Sequence, residues 1–320
     1  MDVLSDILAI CRSERAVTAR FALTQPWGLA SAGTPGAIIW LARGNSYWMQ
    51  IEDQPAVRIA PGDLVLVRPG IRHRIGSSPQ ADTTPFAELI ARYAIGPRGE
   101  RPLVFAHGGG GASTDLFSTQ LWFSAFCRHA VLRILPAYVH IRETDLSWTS
   151  SLGATMQALT EETLSQRPGW RLSAARMGEL LLVNMLREHL ASQGKGTGWL
   201  RGIMDPAIAR AIGLMHRRPQ DNWTVANLAR EAGLSRTRFS ARFRELVDAS
   251  PIGYLHAHRM ALAAEALELE GRPLARIAQD AGYESDKAFA RAFRRWSGLT
   301  PAAYLKREME RREHIDLLRT

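Results

Sequence analysis

The sequence predicts an α+β multidomain chain: an N-terminal β-barrel, a helical linker, and a C-terminal all-α domain with two helix-turn-helix motifs. Three observations predict it. Residues 1–145 hold short apolar segments cut by Gly and Pro. Residues 146–204 change to apolar residues at helical spacing, and residues 205–312 contain the same helix–turn–helix pattern twice, at about 225–247 and 274–297.

In the first region "GAIIWLARGNSYWMQI" (36–51) and "AVRIAPGDLVLVRPGIRHRI" (56–75) read as strands. Pro61-Gly62 and Pro69-Gly70 supply the turns around "DLVLV", and short strands punctuated in this way suggest a small barrel. In the second region "LGATMQALTEETL" and "LSAARMGELLLVNMLREHL" are helical, divided by Pro168-Gly169, and "SQGKGTG" (192–198) reads as a flexible joint. Leu180, Leu181, Val183, Met185, Leu186 and Leu190 suit either core packing or a dimer seam.

The third region opens on Asp205-Pro206, an N-cap acid followed by a proline at the first helical position. Its repeat aligns "LAREAGLSRTRFSARFRELVDASPIGYL" (228–255) with "IAQDAGYESDKAFARAFRRWSGLTPAAYL" (277–305). In each copy a short helix ends at Ala-Gly, and Ser235 or Ser285 caps the next helix. Phe239, Phe243 and Leu246 share one face of that helix, as do Phe289, Phe293 and Trp296. The opposite faces carry Arg236, Thr237, Ser240 and Arg244 in the first copy. In the second they carry Asp286, Lys287, Arg291 and Arg294, next to Ser285. Small and basic residues on such a face suit insertion into a major groove. The helix from about Pro251 to Glu270 would space the two readers by about 30 Å at 1.5 Å per residue.

The net charge of +9, from 40 Lys+Arg against 31 Asp+Glu, favours a polyanionic partner. The two cysteines, Cys11 and Cys127, are too few for a disulfide framework or a four-cysteine zinc site. The start "MDVLSDILAI" is acidic and unlike a signal peptide, and no apolar run approaches 18 residues. A cytoplasmic protein with no membrane partner is expected.

The helical repeat resembles the DNA-binding domain of the AraC/XylS family of bacterial transcription regulators, most closely in "IAQDAGYESDKAFARAFRRWSGLTPAAYLKR". Ala241 stands where many relatives place a base-contacting Arg, and Asp248 where Gly is usual; Asp tolerates a left-handed turn. Arg291 falls where family members contact base or phosphate. "PGDLVLVRPGIRH" (61–73) is similar to the second motif of the cupin superfamily, with Gly62, Gly70 and His73 matching and Arg68 in place of Pro. In metal cupins His73 would be a ligand, joined by a His-x-His plus Glu cluster that "IIWLARGNSYWMQIE" does not contain. No metal and no cofactor are therefore expected.

Together these resemblances imply a non-enzymatic, sequence-specific transcription regulator, with activation the commoner mode in the family. They imply promoter or operator duplex DNA as partner and an unidentified small-molecule effector in the barrel. RNA polymerase and a second copy of the chain are further expected partners. Trp40, Trp48, Arg72, His73 and His107 are the candidate effector contacts, and Cys11 and Cys127 are candidates for oxidant sensing. The alternative reading, a cupin-type dioxygenase or isomerase with a DNA-binding tail, needs the missing His cluster. A hydrolase built on "AHGGGGASTD" (106–115) needs a G-x-S-x-G elbow that the chain lacks. A phosphate loop would need a following helix and Lys. This stretch is expected to be a mobile loop at the barrel rim.

Overall fold

The computed structural model describes residues 2–9, 11–93, 103–143, 149–193, 199–269 and 272–317. Most of the joint at 192–198 and the boundary at 145/146 lie outside the described residues. The chain divides into two compact units. One comprises Ser13–Phe123, Leu135–Ser192 and Ile315–Thr320; the other comprises Met1–Arg12, Ser124–Ile134 and Gln193–His314.

The first unit is the barrel. In chain order its elements are β1 (Ser13–Thr24), β2 (Gly28–Ser31), β3 (Ala37–Gly44), β4 (Tyr47–Ile51), β5 (Val57–Ile59), β6 (Leu64–Val67), β7 (His73–Gly76), β8 (Thr84–Pro85), a helix (Phe86–Tyr93), β9 (Leu103–Gly108), β10 (Ser113–Phe123) and β11 (Tyr138–Ile141). Two sheets face each other, with orders β11-β6-β3-β10-β1-β9 and β5-β4-β7-β2-β8. Their inner faces make one aromatic-rich core that includes Phe21, Trp27, Trp40, Tyr47, Met49, Ile75 and Phe105. β6 is buried at all four positions, which explains why "LVLV" shows no polar alternation. Along β4, by contrast, Tyr47, Met49 and Ile51 are buried while Trp48 and Gln50 are half-buried.

The linker helices belong to this unit. They are Thr149–Ser165 and Trp170–Gln193, and they lie against the outer face of β1 and β10. Met156 Sδ accepts from Thr119 Oγ1 at 3.2 Å, and Glu179 Oε1 accepts from the Ser13 amide at 2.7 Å. Gly178 sits so close to Leu121 that a Cβ there would come within 2.4 Å of its Cδ2. Leu181, Met185, Leu186 and Leu190 are buried as core, whereas Leu180 is exposed.

The second unit is helical and is not continuous in sequence. Its helices, numbered with the three already described, are α1 (Val3–Leu8), α2 (Phe86–Tyr93, in the barrel), α3 and α4 (the linker pair), α5 (Trp199–Gly202), α6 (Pro206–Arg217), α7 (Val225–Glu231), α8 (Arg236–Val247), α9 (Pro251–Glu268), α10 (Leu274–Asp280), α11 (Asp286–Ser297) and α12 (Pro301–Leu317). α1 buries Val3, Ile7 and Leu8 and packs on α6, with an Arg217–Asp6 ion pair at 2.7 Å. A π-turn at Cys127–Val131 followed by a 3-10 turn at Leu132–Ile134 also docks here.

Several bonds hold this excursion. The Phe126 amide donates to Glu265 at 2.8 Å, and the Trp199 indole donates to the Ala130 carbonyl at 2.7 Å. Arg128 reaches two buried carboxylates, Glu268 at 2.7 Å and Glu308 at 3.1 Å. Cys11 and Cys127 are both buried free thiols. Burial and the neighbouring Cys11 thiol push the Cys127 thiol well above its ordinary range, away from the reactive thiolate.

The glycine stretch is bonded to the end of β1. Its two flanks are strands, β9 through Gly108 and β10 from Ser113. Three loop amides bond to the end of β1: Gly109 to the Thr24 carbonyl, Gly110 to Thr24 Oγ1 and Gly111 to the Gln25 carbonyl. The Ala112 carbonyl receives the Gln25 amide. Gly108 has φ +128°, and a Cβ there would meet the Thr24 oxygen at 1.8 Å. Gly108, Gly109 and Gly111 lie where the loop closely approaches residues 24–26, whereas Gly110 has open space around it and takes a φ of +87°.

Candidate nucleic-acid interface and barrel interior

The two helix-turn-helix units are built by the same local devices. Leu234 donates its amide to the Ala229 carbonyl, and Tyr283 donates to Ala278, each at 2.9 Å. Gly233 (φ +69°) and Gly282 (φ +82°) take the left-handed conformation that this turn requires. Ser235 and Ser285 then cap α8 and α11 by accepting from the Arg238 and Ala288 amides. Phe239, Phe243 and Val247 bury the inner face of α8, with Leu246 half-buried beside them. Phe289, Ala292 and Phe293 do the same in α11, with Trp296 half-buried. α8 ends at Asp248 in the left-handed region (φ 57°), as the resemblance requires.

The outer faces are free for a partner. Arg236, Thr237, Arg244, Ser285, Asp286, Lys287, Arg291 and Arg294 are exposed, and Ser240 is half-buried. Among the described residues none of Arg236, Arg244, Lys287, Arg291 or Arg294 forms an ion pair, whereas Arg201, Arg272 and Arg276 elsewhere on the unit each face a carboxylate. Arg242 belongs to the second group. Its guanidinium holds Asp205, the N-cap of α6, through Nε at 2.6 Å and through Nη2. Burial raises the Asp205 carboxyl, but the bonds from Arg242 and from the Ile208 and Ala207 amides outweigh it and hold the group below its ordinary range.

α9 separates α8 and α11 and supplies their shared core. It has 18 residues, about 27 Å at 1.5 Å per residue. Tyr254, the repeat tyrosine of the first copy, donates or accepts at 2.6 Å with His216 Nε2. Tyr304, its counterpart in the second copy, meets His129 Nε2 at 3.0 Å. The His216 and His258 rings stack at 3.9 Å, and Phe126 meets both edge-on. Burial keeps both imidazoles neutral: His216 falls well below its ordinary value and His258 falls to about 3.

In the barrel the candidate contacts separate. Trp40 and His73 are inside, with ring centroids 5.9 Å apart and edge-to-face. His73 Nδ1 lies 3.1 Å from the Ile71 carbonyl, so the proton sits there and Nε2 is a bare acceptor. Burial lowers its basicity further. Trp48 and Arg72 are not interior residues. Neighbours along a strand point to opposite faces, so burying Tyr47 turns Trp48 outward, while Arg72 lies just before β7. Trp48 lines a surface recess with Gln50, Arg74 and Pro79, and Arg72 is exposed. His107 shares the face of Phe105 near the strand end and is half-buried.

Two interior residues, Trp27 and Tyr47, escaped sequence reasoning; their rings are 6.4 Å apart. For Tyr47 the signal was the alternation Tyr-Trp-Met-Gln-Ile, in which Met49 and Ile51 fix the inner face. Asp63 is committed to the fold. It accepts from His140 and from the Glu143 and Ala60 amides, which lower its carboxyl more than burial raises it. Among the described residues no three His, Cys, Asp or Glu side chains gather as a metal cluster, and no helix is long and apolar enough to cross a membrane.

Comparison with known proteins agrees with this geometry. A family profile described as "Cupin" matches residues 2–191, and one described as "Helix-turn-helix domain" matches residues 228–307. A putative AraC-like transcription regulator of Streptomyces antibioticus is 29% identical over 97% of this chain and 100% of its own length. The RCS-specific HTH-type transcriptional activator RclR of Escherichia coli is 25% identical over 96% of this chain and 98% of its own. The DNA-binding domain of AdpA, solved with a target DNA, is 31% identical over 34% of this chain and 97% of its own, with a TM-score of 0.32. A cupin match over more than half the chain, joined to the helix-turn-helix match and to AraC-like relatives along the whole chain, makes this protein a member of the AraC/XylS family of transcription regulators.

Proposed function

We propose that the protein regulates transcription in the cytoplasm by binding promoter DNA through α8 and α11, under control of a small molecule held in the barrel, and that it catalyses no reaction. The observation that carries this reading is the matched pair of capped helices whose outward cations form no ion pair among the described residues. Functionally, residues 1–145 act as sensor, 146–204 as linker and 205–312 as DNA reader. The α9 spacer of about 27 Å is shorter than the roughly 34 Å between successive major grooves, so the bound duplex bends toward the protein. Activation through contact with RNA polymerase is the proposed mode, in keeping with the Escherichia coli relative's name as an activator. Exposed Leu164, Leu172 and Leu180 on the linker helices support a homodimer.

The effector acts through covalent continuity. β1 and β10 pair Ser13 with Phe123. The residues just outside that pair, Arg12 and Ser124, bond to each other within the helical unit. A ligand that shifts β1 against β10 therefore changes the population of helical-unit conformations. Selecting bound duplexes with the full chain, with and without a low-molecular-weight cell extract, tests the reading. Arg291→Ala should then cost about 1–3 kcal/mol on the selected site. Unchanged affinity at moderate salt would remove Arg291 from the interface, and extract-independent binding would remove the effector.

A further inference from the structure

Four polar atoms on ring side chains inside the barrel are buried and have no partner among the described residues: Trp27 Nε1, Trp40 Nε1, Tyr47 Oη and His73 Nε2. Each belongs to a side chain no more than 4% exposed. A buried donor or acceptor without a partner costs about 1–3 kcal/mol, so each of the four calls for a partner. Their chemistry is selective. The indoles only donate. The His73 tautomer fixed by the Ile71 carbonyl only accepts. The buried carboxylate of Asp63 lies close enough to Tyr47 to oppose loss of its proton. An anion would enter this space against that charge, which is heavily penalised.

The surroundings select further. Phe21 and Phe105 stand 4.6 Å apart, and Phe86 lies 5.5 Å from Trp40 and 5.7 Å from Phe21. Phe86 differs from its neighbours in being only partly buried, and it comes from the first position of α2 rather than from a barrel strand. Its ring packs on the Trp40 and Phe21 rings.

We propose that the barrel is a receptor for an uncharged phenol, whose ring takes the place of the Phe86 side chain and whose hydroxyl accepts from Trp40 Nε1 and donates to His73 Nε2. This rests on the effector reading above and gives it a ligand class. A hydroxyl satisfies both orphans at once; a plain hydrocarbon satisfies neither, and a carboxylate can only accept.

Three probes of one shape separate these cases on the full-length protein: 4-methylphenol, toluene and 4-methylbenzoate, followed by calorimetry and by tryptophan fluorescence. The expected result is one 4-methylphenol bound per chain, with toluene at least about tenfold weaker and 4-methylbenzoate undetected. Trp40→Phe and His73→Leu should each cut the preference for 4-methylphenol over toluene at least threefold while toluene still binds, which shows that the barrel is intact. Phe86→Ala should tighten 4-methylphenol binding, an effect a purely structural phenylalanine would not give. The proposal is overturned if 4-methylbenzoate binds more tightly than 4-methylphenol, if neither polar variant alters the preference, or if 4-methylphenol fails to bind both the native chain and Phe86→Ala. An extract that still alters DNA binding in any of those cases leaves the effector reading standing and removes only the phenol; an extract without effect removes the effector reading itself.

Discussion

Replacing Arg128 with Met tests whether the 124–134 excursion is a built part of the helical unit. The guanidinium is 14% exposed, and the carboxylates of Glu268 and Glu308 are 3% and 8% exposed. Tyr304 Oη also donates to Glu268 at 3.2 Å. At an effective dielectric of about 20, charges 2.7 and 3.1 Å apart attract by roughly 5–6 kcal/mol each before dehydration is counted. Dehydration consumes much of that, but removing one partner leaves the other charges buried and facing each other, at a cost of about 3–5 kcal/mol. Met keeps the apolar stem, so the packing loss is small. Hydrogen exchange of amides in α9 and α12 reads the stability of this unit separately from the barrel. Protection there should fall roughly 100-fold or more, since each tenfold is about 1.4 kcal/mol. Adding Glu268→Gln and Glu308→Gln should restore most of it. A fall below fivefold in the single variant would mean that the carboxylates are solvated, and the excursion would then be an adherent loop and not a structural part.

Other expectations follow from the same physics. His216 and His258 are neutral in the fold, with His258 lowered to about 3 against an ordinary value of 6.5. The unfolded chain takes up their protons first, so this contribution to stability is complete above about pH 6.5 and is lost as pH falls toward 3; His258 alone should cost about 2 kcal/mol at pH 5. Urea unfolding at pH 7 and pH 5 of the native chain and of His258→Leu checks this, and an equal pH dependence in both would refute it. In the glycine loop, Gly108→Ala should destabilise the barrel by at least about 2 kcal/mol more than Gly110→Ala, because only the former drives a Cβ into the Thr24 backbone. Equal melting temperatures for the two variants would return the loop to the mobile class.

The reading helices were legible because their determinants are local. Ser235, Gly233, Phe239 and Phe243 lie within eleven positions of one another, and caps, turns and a helical face are all short-range statements. The barrel was legible as a class for a similar reason, since Gly and Pro mark the strand ends. Its interior was less so. Trp48 and Arg72 are as aromatic or polar as Trp40 and His73, and only the inward set of β4 and β7 tells them apart. That set is fixed by which residues the opposite sheet buries. Residues 1–12 and 124–134 gave no sign of leaving the barrel region for the helical unit, because the partners that define their place are far along the chain: Asp6 meets Arg217, and Arg128 meets Glu268 and Glu308. The bonds that tie the loop "AHGGGGASTD" to Thr24 and Gln25 were not legible, because a glycine run looks the same whether it serves freedom or close approach.

The distance in sequence between α1 and α6 has a consequence during synthesis. The first helix, with Val3, Ile7 and Leu8 on its apolar side, leaves the ribosome about 200 residues before the surface that covers it. At about 5–20 residues per second that interval is roughly 10–40 s. The barrel strands emerge within it, so the sensor can close while its own leading segment still awaits a partner. A nascent chain therefore carries an uncovered apolar helix until α6 emerges, and any chaperone that shields it acts before the helical unit is complete.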